Sequence, residues 1–337
     1  MNFVTGGTGL VGSHILLELA KSGKKITALK RQSSDLSQVQ DLFKRNQLLE
    51  QFNTINWVDC GLHGVNQLIE VMQGAEFIYH CAALVSFNSN DRLELISTNI
   101  EGTSNMIDAA LVAQPKKFVY ISSTAAIGKQ PKNKVITEDL DWHPDNKNGQ
   151  YSFSKHHAEL EVWRGVEEGL NTVILNPAVI LGPGKWNLSS TRIFTTVYNG
   201  LKFYTKGANA FVDVRDVANL AVKLAKSDVS NDRFLIFSEN LSFRKVMGLI
   251  AKGLNKPEPK FLATPFMGYL AGLFSEIWAV IGGIQPLITR DSSKSANTVQ
   301  VFSNKKILEA TKHTFIPIEK SIGFLLLELW KLQRFFL

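Results

Sequence analysis

Short apolar runs alternate with stretches of helical periodicity through roughly the first two thirds of the chain. The runs NFVT (2–5), KITAL (25–29), INWV (55–58), FIYHC (77–81), KFVYIS (117–122), TVILN (172–176) and RFLIFS (233–238) are rich in β-branched and aromatic residues and have strand length. Between them, residues 12–22 place Ile15, Leu16 and Leu19 on one face, and residues 93–113 repeat apolar positions at three- and four-residue steps. Strand and helix in alternation predict a parallel sheet with right-handed crossovers, a doubly wound α/β fold.

Beyond about residue 178 the alternation fails. Pro and Gly cluster in NPAVILGPGKW, and residues 241–320 carry helical stretches joined by long irregular connections. The expected organisation is one α/β domain over 1–177 and 211–240, with a smaller, mostly helical C-terminal substrate lobe over 178–210 and 241–322. An apolar tail, 323–337, follows. The most apolar stretch, residues 264–288, is interrupted by Glu276, Gly282, Gly283 and Pro286, so it reads as a buried or interfacial helix and not as a membrane span.

Composition narrows the class. Of 337 residues, 45% are hydrophobic, enough for a large core. Two cysteines, Cys60 and Cys81, cannot make a disulfide framework and lack metal-site spacing, which fits a reducing compartment and no bound metal. The net charge is +7, but the basic residues are spread without a run or aromatic interleaving, so nucleic acid is not the expected partner. The opening MNFVTGG enters a glycine-rich turn by its fifth residue, leaving no room for a signal peptide and predicting a cytoplasmic protein.

That turn, TGGTGLVG at 5–12, sits between the first strand and the first helix. Gly6 permits the tight turn, Gly9 lets backbone approach a pyrophosphate, and Gly12 lets the helix pack closely on its strand. Phosphates would lie at the positive end of that helix. The reading is a Rossmann-type dinucleotide domain. A free ribose 2′-hydroxyl usually meets an acid at the end of the second strand; here the chain has Lys30 and Arg31, with Ser33 and Ser34 beside them. A guanidinium suits a 2′-phosphate, so NADP(H) is expected in preference to NAD(H), which stays possible.

Tyr151 and Lys155 in YSFSK have an acid/base spacing, yet chance alone gives about half a Tyr-x-x-x-Lys match in such a chain, and Tyr198 and Lys202 in YNGLK repeat it. Order along the chain separates the two. TGGTGLVG, HCAA (80–83), NIEGTSN (99–105), YISS with Gly128 beyond it, YSFSK, NPAVILGPG and FVDVRDVA (211–218) together resemble, in sequence, the motifs of the extended short-chain dehydrogenase/reductase family, also called the NAD-dependent epimerase/dehydratase family. YSFSK falls where the family has its YxxxK, on a stretch predicted helical through Glu168, which puts Lys155 one turn beyond Tyr151. YNGLK encloses a turn-forming Asn-Gly and is read as a decoy.

The resemblance implies a site. Tyr151 would be the acid/base, Lys155 would help a phenol of pKa about 10 work near neutrality, and Ser123 would hold the substrate oxygen. Cofactor contacts implied are Gly6, Thr8, Gly9, Leu10 and Gly12 of the turn, Lys30 and Arg31, Asp59 at the adenine edge with Cys60, Ala82 and Ala83 beneath the cofactor, Asn99, Lys155, Pro177 and Val179. Asn99 is also read as a brace for the sheet. His14, His156 and His157 are read as packing or surface residues.

Departures narrow the chemistry. Thr124 and Ala125 follow Ser123 where sugar-nucleotide dehydratases of the family carry an Asp-Glu pair, and Asn176 and Leu181 replace the Arg and Tyr of RPxxVYGPG. The apolar lobe and its tail resemble dihydroflavonol-reductase-like and 3β-hydroxysteroid-dehydrogenase-like members. The expected reaction is hydride transfer between a nicotinamide and a carbonyl or alcohol of a hydrophobic small molecule. The alternatives are an epimerase with tightly held NAD(P) and a non-catalytic NADP(H)-binding protein. The resemblance also implies a homodimer through the helices carrying Ile100, Met106, Ile107 and Leu111 and Leu160 and Trp163. For the tail SIGFLLLELWKLQRFFL, docking on the protein is favoured over a peripheral membrane contact.

Overall fold

A computed structural model describes residues 1–128, 134–143, 149–183, 191–282 and 290–333. Twelve strands are seen among them: β1 (Asn2–Thr5), β2 (Ile26–Lys30), β3 (Asn56–Asp59), β4 (Phe77–His80), β5 (Lys117–Ile121), β6 (Thr172–Pro177), β7 (Val179–Leu181), β8 (Phe203–Tyr204), β9 (Ala208–Asp213), β10 (Asp232–Ile236), β11 (Glu239–Ser242) and β12 (Phe261–Leu262). Seven form one parallel sheet in the order β10-β6-β5-β4-β1-β2-β3. All seven expected runs are in it, with ends displaced by at most two residues. The central strands are buried on both faces, which is why they read as continuous apolar runs, whereas edge strand β3 is only half covered.

Helices cover both faces. On one, Ile15, Leu16 and Leu19 of the helix Leu10–Ala20 meet a core shared with Val217, Leu220 and Leu224 of the helix Val214–Ala225. On the other, Leu68 and Met72 pack with Met106, Ile107, Ala158 and Val162. The strand order reverses between β1 and β4, so the carboxyl ends of these neighbours flank the crevice where open α/β sheets bind ligands.

Two features depart from the expected pattern. The helix expected over 93–113 is broken by a π-helical turn, Ile96–Glu101, between Arg92–Leu95 and Gly102–Ala113. The lobe is less purely helical than expected: β7, β9 and β11 form a three-stranded sheet and β8 pairs with β12. Its core joins Phe194, Val197 and Phe211 to Val246 and Ile250 of the helix Phe243–Gly253, and to Ile318, Ile322, Leu325 and Leu326 of the last helix, Ile318–Gln333. That helix runs through residue 322 without a break, and the part of the tail it carries buries Leu325 and Leu326 on the protein. Among the described residues no helix is long and apolar enough to cross a membrane. Gly283 and Pro286 of the apolar stretch, Gly184 of the GPG stretch and residues 334–337 of the tail lie outside the described residues.

Candidate active site

The glycine turn closes on itself. Gly6 has φ +67°, and Gly9 N–H donates to the Gly6 carbonyl at 2.9 Å. A Cβ on Gly12 would stand 2.2 Å from that carbonyl oxygen, and one on Gly6 would meet Ala82 N at 2.6 Å. Neither position tolerates a side chain. Gly9 caps the helix that starts at Leu10 and is exposed, with Thr8 and Leu10 partly buried beside it. The turn thus leaves the first helical N–H groups without side-chain cover, a cradle shaped for a pyrophosphate.

The neighbouring strand end is tied to this turn. Thr5 Oγ1 accepts from the backbone N–H groups of Cys81 and Ala82, both at 3.2 Å, which holds Ala82 against Gly6 and carries Ala83 to the surface. At the ends of β2 and β3, Lys30 pairs with Asp59 at 2.7 Å. Arg31 is exposed, and its backbone N–H donates to Ser34 Oγ at 3.0 Å. The Cys60 side chain belongs to the apolar core with Phe3, Leu29 and Leu68, and burial pushes its thiol up.

Asn99 is buried in the π-helical turn. Its Oδ1 accepts from Leu84 N–H at 2.7 Å, and its Nδ2 donates to the Leu84 carbonyl at 3.0 Å and to Ser154 Oγ at 2.9 Å. Both amide hydrogens and one side of the oxygen are engaged, so Asn99 braces the loop after β4 against the tyrosine helix instead of bracing the sheet or turning to the cofactor crevice. Insertion of one residue in the π turn sets that aim. Pro177 closes β6 and Val179 opens β7, so this pair marks the chain's exit from the main sheet.

The catalytic candidates converge at the carboxyl end of β5. Ser123 lies two residues beyond the strand, where its Oγ accepts from Ala125 N–H at 3.1 Å. The helix Gln150–Glu167 brings Tyr151 toward Ser123, and Phe87 lies edge-on to the Tyr151 ring at 5.6 Å. Burial pushes the Tyr151 phenol up to about 12, with Ser123 opposing. Lys155 follows one turn later, as the spacing predicts, but it does not turn to the phenol. Its ammonium donates to Tyr120 Oη at 3.0 Å and to the Ile121 carbonyl at 3.1 Å, and lies 4.7 Å from the Tyr120 ring centre. Burial lowers Lys155 to about 8, with the Glu159 carboxylate opposing. Lys155 is thus anchored on β5.

One further turn along, Glu159 is buried and fully partnered. Its Oε2 accepts from Ser122 Oγ at 2.7 Å and Asn176 Nδ2 at 2.8 Å, and its Oε1 from Arg233 Nη1 at 3.0 Å. Asn176 Nδ2 also donates to the Ser123 carbonyl at 3.0 Å. The guanidinium missing at position 176 thus arrives from β10, which pairs with β6. Tyr151, Lys155 and Glu159 form one stripe on their helix running from the crevice into the interior.

The remaining candidates separate cleanly. Tyr198 ends the helix Thr191–Tyr198 and is exposed, Gly200 has φ +87°, and Lys202 lies beyond that turn, so the second pair shares no helix face. His14 donates from Nδ1 to the Leu10 carbonyl at 2.8 Å, His156 stacks on Trp142 at 4.1 Å, and His157 bonds the Phe153 carbonyl. Among the described residues no group of three His, Cys, Asp or Glu is placed to hold a metal. Met106 and Ile107 are wholly buried on the sheet, which removes them from any partner surface, while Leu160 is exposed.

Sequence reasoning missed Phe87 and Glu159, and quoted His80, Thr103, Tyr120 and Arg233 only as letters in motifs or runs. Glu159 had a signal, standing four residues beyond Lys155 on a predicted helix. Phe87 had none.

This fold and this site define an NAD(P)-dependent oxidoreductase of the extended short-chain dehydrogenase/reductase type. The profile of the NAD dependent epimerase/dehydratase family matches residues 2–236, and the chain belongs to that family. It is 32% identical over 267 residues to a putative dihydroflavonol 4-reductase of Synechocystis sp., covering 77% of this chain and 74% of that protein. It is 25% identical over 264 residues to cinnamoyl-CoA reductase 1 of Petunia hybrida, covering 74% and 76% of the two chains. Among solved structures, that of gox2253 superposes with a TM-score of 0.79 at 25% identity over 96% of both chains. A UDP-glucose 4-epimerase from Thermotoga maritima shares the fold at 17% identity, with a TM-score of 0.76 over 99% of this chain and 100% of that one.

Proposed function

We propose that the protein is an NADP(H)-dependent reductase or dehydrogenase acting on a carbonyl or alcohol of a hydrophobic small molecule, with Tyr151 as the acid/base. The observation that carries this reading is the convergence of Tyr151 and Ser123 at the carboxyl end of β5, where Ser123 opposes the effect of burial on the Tyr151 phenol. A substrate oxygen placed between these hydroxyls receives a hydrogen bond from Ser123 and a proton from Tyr151, which its raised pKa keeps in the acid form. The nicotinamide, when bound, supplies or takes the hydride at the adjacent carbon.

The residues present fit that cofactor, because Gly6 and Gly12 keep clear a cradle that a Cβ would fill. Lys30 is engaged with Asp59, which leaves Arg31, with Ser33 and Ser34, to meet a 2′-phosphate. Phe87, half exposed beside Tyr151, gives the mouth an apolar wall, and reductases acting on aromatic-named substrates stand among the relatives. The same reading has a cytoplasmic enzyme paired through the outward sides of the helices Gly102–Ala113 and Gln150–Glu167.

The test is a panel of aromatic ketones, steroids and acyl thioesters with NADPH or NADH, following cofactor oxidation. Turnover with one apolar class, preferring NADPH, is the expected result. Tightly retained cofactor without net oxidation on any of them, together with epimerised sugar nucleotides, would overturn it.

A further inference from the structure

Lys155 is the inner end of a buried line of side chains that begins at the glycine turn. Thr5, His80, Thr103, Tyr120 and Lys155 are each no more than 1% exposed. Thr5 Oγ1 already accepts two backbone N–H groups, so its own hydrogen goes to His80 Nδ1 at 2.7 Å. His80 is then protonated on Nε2, which donates to Thr103 Oγ1 at 3.1 Å. Thr103 lies next to the Tyr120 phenol, favouring its charged form against burial, and Tyr120 Oη accepts from Lys155 at 3.0 Å. Four elements contribute to the line, β1, β4, the helix Gly102–Ala113 and β5, and it ends on a fifth, the tyrosine helix.

An ammonium in this interior needs acceptors for its hydrogens, and protein supplies two, Tyr120 Oη and the Ile121 carbonyl. The titratable groups around it are Glu159 and Tyr151 on its own helix, Tyr120 on β5, and His80 and Cys81 at the end of β4. Glu159 already receives hydrogen bonds from Ser122, Asn176 and Arg233, and Cys81 is held protonated by burial. Tyr120 is thus the side chain that both fixes the direction of the lysine and receives its proton-bearing edge.

We propose that Tyr120, held in place by Thr103 and His80, is a positioning residue for Lys155, fixing the ammonium in its place and supporting its charged form. The inference rests on the reading of Lys155 as part of the active site, but its test does not require turnover. A phenylalanine at 120 keeps the ring and removes the acceptor. A valine at 103 keeps the shape of threonine and removes the hydroxyl that orients Tyr120.

The experiment is a pH titration of the full chain with 13C-labelled lysine side chains, the Lys155 signal being assigned with Lys155→Arg. In Tyr120→Phe the Lys155 midpoint falls by about one pH unit, since a lost hydrogen bond to a buried charge disfavours that charge. Thr103→Val shifts it the same way by less, and Thr103→Ser, which keeps the hydroxyl, leaves it at the wild-type value. A merely structural role would make Thr103→Ser, which opens a cavity, worse than the isosteric Thr103→Val. An unmoved midpoint in Tyr120→Phe, or a shift in Thr103→Ser equal to that in Thr103→Val, overturns the proposal. If Tyr120→Phe does not fold, the two Thr103 variants decide. Failure of every carbonyl substrate would sink the proposed reaction and leave these midpoints untouched, so the two failures are distinguishable.

Discussion

Tyr151 and Lys155 stand one helical turn apart, yet their surroundings are opposite. Tyr151 faces a mouth made by Ser123 and the half-exposed Phe87. Lys155 is sealed, with its hydrogen bonds directed to β5 and a line of hydroxyls and an imidazole behind it. One helix face therefore carries two different environments, an open crevice at Tyr151 and a sealed interior at Lys155. The contrast teaches that a spacing such as Tyr-x-x-x-Lys fixes which residues share a face but not what each meets there.

The comparison can be broken most forcefully at the mouth. Tyr151→Phe is expected to lower turnover by about 10²–10⁴-fold, the usual contribution of a positioned acid/base, while NADPH affinity measured by fluorescence titration stays within a few-fold. Equal losses of turnover and cofactor affinity would place Tyr151 in the interior class instead.

The interior is sharpened by acid. Burial lowers His14 to about 4 and His80 to about 3, so both fold as neutral imidazoles. Each native pKa lies below the unfolded value of about 6.5, so this stability is present above that pH and declines as pH falls toward the native values. At pH 5 the two together should cost about 4 kcal/mol relative to pH 7.5, read by urea denaturation, and His14→Gln should remove about half of the difference. A flat stability between these pH values would contradict the buried neutral state.

At the rim, Arg31→Ala should weaken NADPH by about 1.5–3 kcal/mol while leaving NADH nearly unchanged, as for one lost charge-assisted contact. Equal weakening of the two cofactors would remove Arg31 from the 2′-position. The smallest effect belongs to the second tyrosine–lysine pair. Tyr198→Phe should leave steady-state rates where they were, because that phenol sits at a helix end, with Lys256 rather than Lys202 4.9 Å from its ring centre.

The main sheet was legible because strands buried on both faces leave short continuous apolar runs, and Phe77–His80 or Thr172–Pro177 look like little else. The glycine turn and the tyrosine helix were legible through motif order. The lobe's three-stranded sheet was not, since strands of three to six residues with partial burial resemble loops. Nor was the environment of Lys155 visible, because Tyr120 reaches it from a strand 35 positions earlier and only the fold brings the two together. Asn176 read as a lost arginine. The sheet shows why that was incomplete: β10 pairs with β6, and Arg233 from β10 reaches the same buried carboxylate that Asn176 contacts.

The last helix also governs how the chain is made. Glu328, 8% exposed, pairs with Arg45, 283 positions earlier, while Ile322 and Leu325 of the same helix complete the lobe core. At synthesis rates of about 5–20 residues per second, Arg45 waits roughly 14–57 s for its partner to be made. Late in that interval, once β10 has completed the main sheet, the nascent lobe keeps an open apolar seam where Val246 and Ile250 will be covered. Closure of the lobe core therefore has to wait until Ile322 and Leu325 have been made, long after the first strands of the main sheet.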